Sequence, residues 1–223
     1  MRISANKLAE LLITPNPVRR RRIVHDQKYP SDAVVPLYRH AHAPIDGYFR
    51  NGRNRESLIA AANTLRENRE GSEWAIDDRW NTADALELFA DIAEGLPSDD
   101  GITYTKGENS APKLNISGVD VSVRPDFILN FTKRGVRYTG ALKLHFIKNP
   151  DNALNRQGSE YVSTLLYRWL EENAPDGVKP SHAHCLSVDV FRQTTLQAPR
   201  SNMRRMQEIA AACEDIAFRW PHL

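Results

Sequence analysis

Apolar residues at helical spacing open the chain. Leu8, Leu11 and Leu12 share one face of a segment from about residue 4 to 13, and Ser4 is placed to cap its start. Pro15 and Pro17 end that segment. A second helix is predicted from about Val18 to Gln27, and the proline-punctuated YPSDAVVPLYRHAHAP reads as loop. Helical period returns in RESLIAAANTLREN and in NTADALELFADIAEGL, from Asn81 to Leu96, and PSDDG makes a turn. From about 102 to 148 the period falls to two, the mark of strands. DNALNRQGSEYVSTLLYRWLEENA then predicts a long helix ended by PDG. HCLSVDVFRQTTLQA holds a further strand, and RSNMRRMQEIAAACEDIAFRW a C-terminal helix. There is no internal repeat and no low-complexity linker. This order predicts one α/β domain over residues 1–223, with a mainly helical lobe at 1–100 and an αβ core at 101–223.

The alternation is clearest in VSVRPDFILNFTKRGVRYTGALKLHF, which reads as two strands joined by a tight basic turn near Arg134. Val121, Val123, Pro125, Phe127 and Leu129 fall on one face of the first strand. Asp120, Ser122, Arg124, Asp126 and Asn130 fall on the other, with Ile128 its apolar exception. In the second strand Val136, Tyr138, Leu142, Leu144 and Phe146 share a face, and Arg137, Thr139, Ala141, Lys143 and His145 share the opposite one. A turn at Arg134 sets Asp126 across from residues 141 to 143, so Asp126, Ala141 and Lys143 meet on one polar face. The plain reading is a cross-strand ion pair on a solvated sheet, worth about 0–1 kcal/mol.

Composition narrows the setting. The 223 residues are 41% hydrophobic, enough for one sizeable core. No apolar run approaches the roughly 20 residues that span a bilayer. The opening MRISANKLAELLITP carries Asn, Lys and Glu within its apolar stretch, unlike a signal peptide. Cys185 and Cys213 are the only cysteines, which points to a reducing, cytoplasmic setting and excludes a four-cysteine metal site built from this chain alone. A net charge of +2 says little about partners. The run Arg19, Arg20, Arg21, Arg22 is either a solvated helix face or a phosphate-contacting patch.

Other residues add to the hairpin. Gln157 and Tyr161 are spaced i, i+4 and project from one helix face, and Glu56 stands four residues after Gly52 at the opening of a helix. In chain order, G-x-x-x-E, R-P-D-F, a strand ending A-L-K, and Q-x-x-x-Y resemble the RecB-like branch of the PD-(D/E)xK nuclease superfamily, from about residue 50 to 170. The resemblance implies a restriction-endonuclease-like mixed sheet flanked by helices, and metal-dependent hydrolysis of phosphodiester bonds in DNA. On it, Pro125-Asp126 matches the family's Pro-Asp, Lys143 its lysine, Glu56 its upstream acid, and Gln157 and Tyr161 its helix motif. The implied cofactor is Mg²⁺ or Mn²⁺, held by Glu56 and Asp126. No iron–sulfur cluster is expected, because no cysteine follows the N-terminal helix. The implied partners are DNA and proteins of a repair, phage or defence complex, with no membrane. The chemistry is coherent: carboxylates hold Mg²⁺, the metal acidifies a bound water, and a lysine stabilises the charged transition state.

Position 141 departs from the family pattern, which has Glu or Asp where this chain has Ala141. Three explanations stand open: a deliberate inactivating substitution, a natural loss of catalysis with binding retained, or migration of the acid to Glu160 on the next helix. The alternative function is therefore a non-catalytic nucleic-acid-binding or assembly subunit with a nuclease-like fold. His40, His42, His182, His184 and Cys185 lack structural-zinc spacing and read as loop or strand-edge residues. Trp74, Trp80, Trp169 and Trp220 read as packing residues, the first two being candidates for base stacking. There is no P-loop, G-x-G-x-x-G or G-x-S-x-G.

Overall fold

The computed structural model describes residues 1–30, 37–99 and 101–223. Their elements run β1 (Arg2–Ser4), α1 (Ala5–Ile13), α2 (Pro17–Lys28), α3 (His42–Arg50), α4 (Arg55–Glu67), α5 (Glu73–Ile92), β2 (Thr103–Lys106), β3 (Leu114–Ile116), β4 (Val119–Ser122), β5 (Phe127–Lys133), β6 (Val136–His145), α6 (Arg156–Asn173), β7 (Val178–Asp189), β8 (Thr194–Gln197) and α7 (Met203–Arg219). The result is an α/β fold with a five-stranded mixed sheet, ordered β2-β5-β6-β7-β8, and a three-stranded sheet, ordered β1-β4-β3.

The central hairpin forms as its alternation predicts. β5 and β6 pair antiparallel with Phe127 opposite Leu142 and Lys133 opposite Val136. Arg134 and Gly135, the two residues between them, have φ of 51° and 75°. Positive φ at both central positions is the tight turn whose twist matches the flanking strands. β7 then joins β6 in parallel after the α6 crossover.

Each face of the large sheet carries its own core. On one side α3, α4 and α5 pack Ile45, Tyr48, Leu58, Leu86 and Phe89 against Phe127, Leu129, Leu142 and Leu144. On the other, Ala141 and Cys185 lie under α6, with α1, α7 and the small sheet completing the layer through Leu8, Ile209, Cys213 and Val121. The helical lobe is therefore narrower than residues 1–100: β1, α1 and α2 belong to the αβ core.

Three sequence expectations change. The strand read from 121 to 130 is broken. Val121 and Val123 join the small-sheet core, whereas Phe127 and Leu129 face the helical lobe. The break falls at Arg124, whose φ of 44° no extended strand permits. The proline-rich segment read as loop contains α3, which starts at His42 and accommodates Pro44 in its first turn, where the missing N–H costs no helical bond. Residues 31–36 of that segment lie outside the described residues, as does Asp100 of the PSDDG turn. Finally, α5 begins at Glu73 rather than Asn81, capped by Ser72. Among the described residues, no helix is long and apolar enough to cross a membrane.

Candidate functional site

The kink at Arg124-Pro125 shapes the site. A left-handed conformation is unfavourable for any side-chain-bearing residue, and proline restricts the residue before it further. What the distortion delivers is a carbonyl: Arg124 O accepts a hydrogen bond from Lys143 Nζ at 2.9 Å. The same ammonium reaches Asp126 Oδ1 at 3.1 Å. Asp126 Oδ2 accepts from the Leu144 backbone N–H at 2.7 Å, and the Asp126 N–H donates to Leu142 O at 2.9 Å. The acid is thus fixed on the end of β6 by its own backbone and by both carboxylate oxygens. Side-chain exposures of 17% for Lys143 and 12% for Asp126 make this a half-buried pair and not a pair waving in solvent. An ammonium has three protons, so one remains for a ligand after Arg124 and Asp126 are served.

The next residue on that face, His145, is fully buried. Its Nε2 lies 2.8 Å from Ser187 Oγ on β7, while its Nδ1 has no hydrogen-bond partner among the described residues. Burial pushes its pKa down to about 4, the Lys143 charge adds to the drop, and Asp126 opposes it. Asp189, its register partner on β7, is also buried, and its charge is answered by Arg192 at 3.0 Å. On the helical-lobe side His42 opens α3, its ring edge-on to Phe146 at 6.0 Å between centroids. Burial lowers its pKa, Asp126 raises it, and Lys143 and Lys106 lower it again, so His42 lies within the field of the pair.

The remaining predicted residues have contacts of their own. Ala141 shares the face of Lys143 but is 0% exposed, opposite Ile128 and Cys185 in the core under α6. Glu56 is exposed in the first turn of α4, and its carboxylate has no protein partner among the described residues. Glu160 is engaged by Arg156 at 3.1 Å and by Arg205 of α7. Burial raises its pKa, but the hydrogen bonds from Arg205 and Arg156 outweigh that and hold it below the ordinary carboxylate range. Gln157 Nε2 donates to Tyr161 Oη at 3.1 Å, and that hydroxyl donates to Glu208 Oε2 at 2.5 Å. The Q-x-x-x-Y pair therefore braces α6 against α7. Of the four arginines, Arg19 is tied to Glu10 and Arg22 pairs with Asp26 at 3.8 Å. Arg20 and Arg21 line a cavity of about 420 Å³ with Asp215 and Arg219.

Among the described residues, no three His, Cys, Asp or Glu side chains gather into a group that could hold a metal ion. Mg²⁺ wants an octahedron of oxygens, with carboxylate help. Asp126 has Lys143 on one oxygen and a backbone N–H on the other and belongs to no group of three ligating side chains among the described residues, so the residues present do not fit Mg²⁺ or Mn²⁺ held by the protein alone. Of the other histidines, His182 stacks on Tyr167 at 3.5 Å, and His184 Nδ1 meets Ser181 Oγ at 2.7 Å. Trp74 and Trp80 are exposed at 45% and 41%, with Arg69 over the Trp80 ring. Sequence reasoning missed the Arg124 carbonyl and the His145–Ser187 contact; a proline inside a supposed strand was the available signal for the first. No family model matches the chain, and no curated protein matches it.

Proposed function

We propose that the chain is a DNA-binding domain on the plan of the RecB-like PD-(D/E)xK nucleases, with a site that meets a backbone phosphate through Lys143 in place of a metal. The observation that carries this reading is the Lys143 ammonium, positioned by the Asp126 carboxylate and the Arg124 carbonyl with one proton left over. Support also comes from element order. Pro-Asp heads β5, A-L-K ends on its antiparallel neighbour β6, and Q-x-x-x-Y opens the crossover helix α6. The buried Ala141 and the ion-paired Glu160 favour binding over hydrolysis, since neither offers a second carboxylate beside Asp126. Hydrolysis is the second reading, favoured by the Asp126–Lys143 pair itself, and it would need an acid from outside this cluster.

The test is fluorescence anisotropy with single- and double-stranded oligonucleotides across a salt series, beside plasmid cleavage in Mg²⁺ and Mn²⁺. Binding should weaken steeply with salt as phosphates release counterions, and Lys143→Met should lower the slope by about 0.9. Absence of binding at low salt would sink the DNA reading. Metal-dependent cleavage abolished by Asp126→Asn would replace binding with hydrolysis.

A further inference from the structure

Asp126 is followed on its own face of β5 by Ile128 and Asn130, and Lys143 is preceded on β6 by Ala141 and Thr139. Running down the sheet from the ion pair, Thr105, Ile128, Asn130 and Thr139 floor a cavity of about 420 Å³. Its walls are the end of α6, with Trp169 and Leu170, and the loop from Gly107 to Pro112. That size lies within the roughly 300–1,000 Å³ of small-molecule sites, which are mostly apolar with a few placed polar groups.

The cavity is preformed, because its loop wall is fastened at both ends. At one end the Gly107 N–H donates to Asp126 O at 2.8 Å. The approach is so close that a Cβ on Gly107 would stand 2.0 Å from the Pro125 carbonyl oxygen, so only glycine allows it. At the other end Trp169 Nε1 donates to Pro112 O at 2.8 Å. One wall is therefore fixed to the residue that holds Lys143. The floor is left uncovered: Ile128 is only partly buried, and the Asn130 amide has no side-chain partner among the described residues. Lys106 and Glu108 also line it.

A largely apolar slot with an indole in one wall, an unpaired amide on its floor, and Lys106 and Glu108 among its lining matches a flat heteroaromatic ring with polar edges. We infer that this cavity is a nucleobase pocket, receiving an unpaired base of the strand whose phosphate meets Lys143. The inference rests on the DNA reading above and adds what that reading lacks, a site able to tell a nucleotide from bare polyanion. Extracting a base from a duplex costs a few kcal/mol, so the pocket favours single-stranded or frayed ends.

The experiment titrates the four deoxynucleoside 5′-monophosphates, and inorganic phosphate as control, into the protein by NMR, and repeats the oligonucleotide binding in parallel. Two variants are used: Asn130→Trp, which fills the cavity from an exposed position, and Asn130→Ala, which removes the amide. Saturable binding of at least one nucleotide, at least tenfold tighter than phosphate and weakened at least tenfold by Asn130→Trp with thermal unfolding unchanged, is expected. Nucleotides no tighter than phosphate, or binding indifferent to Asn130→Trp, would overturn the pocket while oligonucleotide binding kept the DNA reading intact. Nucleotide binding without oligonucleotide binding would reject the DNA reading and leave a small-molecule site. Asn130→Ala should change the ranking among the four bases; an unchanged ranking would remove the amide from base recognition.

Discussion

Ala141→Glu puts the acid of the nuclease pattern back where the resemblance would have it. The structure argues that the price is stability. Ala141 is 0% exposed and lies in the core with Tyr161, Val162, Leu165 and Cys185. Added methylenes in a packed core cost about 1–3 kcal/mol. A carboxyl group without a partner costs a further 1–3 kcal/mol or so. The expected loss is thus about 2–6 kcal/mol, against a typical total of about 5–15 kcal/mol. Urea denaturation measures it, and Ala141→Met separates added bulk from added charge. If the new carboxylate instead swings past the core edge to Lys143 and water, stability should hold within about 0.5 kcal/mol. Mn²⁺ would then raise the unfolding free energy, by about 2.7 kcal/mol at a hundredfold excess over Kd. That pair of results would refute the account of residue 141 as a packing position and reopen hydrolysis.

Further predictions concern the surroundings of the pair. His145 has a folded pKa near 4 against an unfolded value of 6.5, so the stability it contributes is complete above about pH 6.5 and lost as pH falls toward 4. That is about 3 kcal/mol, and the difference between wild type and His145→Gln in urea midpoints at pH 7, 5.5 and 4.5 should shrink accordingly; a constant difference would contradict it. Arg124→Gly relieves a left-handed conformation worth about 1–2 kcal/mol while loosening the unfolded chain, so unfolding free energy should stay within about 1 kcal/mol of wild type. A fall of more than about 2 kcal/mol would mean the Arg124 side chain, not its carbonyl, matters. Arg20→Ala with Arg21→Ala should lower the salt slope of DNA binding by up to about 2, whereas Arg19→Ala should leave it unchanged because Glu10 already holds that guanidinium.

The hairpin was legible because two independent signals agree there: period-two alternation on both sides and Arg134-Gly135 between them. The Asp126–Lys143 pair follows from that register alone. What alternation cannot reveal is a strand that changes partner halfway. Val121 to Leu129 keeps its period through the Arg124 kink, yet the two halves face different cores, since residue spacing is blind to a single reversed φ. Burial on both sheet faces hid the setting of Ala141 and His145 in the same way: position on a polar-looking face is not exposure once α6 covers it. The opening of α5 was obscured by EWAIDDRW, whose polar residues and exposed tryptophans blur any apolar stripe. Glu160 shows a different limit. Its sequence neighbours place it on the right helix, and only tertiary contact reveals that Arg205, far along the chain, holds it.

The parallel pairing of β1 with β4 matches Ile3 to Val121, about half the chain length apart. On the ribosome, the first strand has no partner until the fourth has been made. Synthesis runs at about 5–20 residues per second, so α3, α4 and α5 are complete seconds before that pairing can close. Closing so large a loop also slows spontaneous refolding. The three-residue β1 precedes its partner β4 by more than a hundred residues, so a bulky group attached beside Arg2 would interfere only after the lobe has formed. Its symptom would be a slow refolding phase, with the lobe's secondary structure already in place.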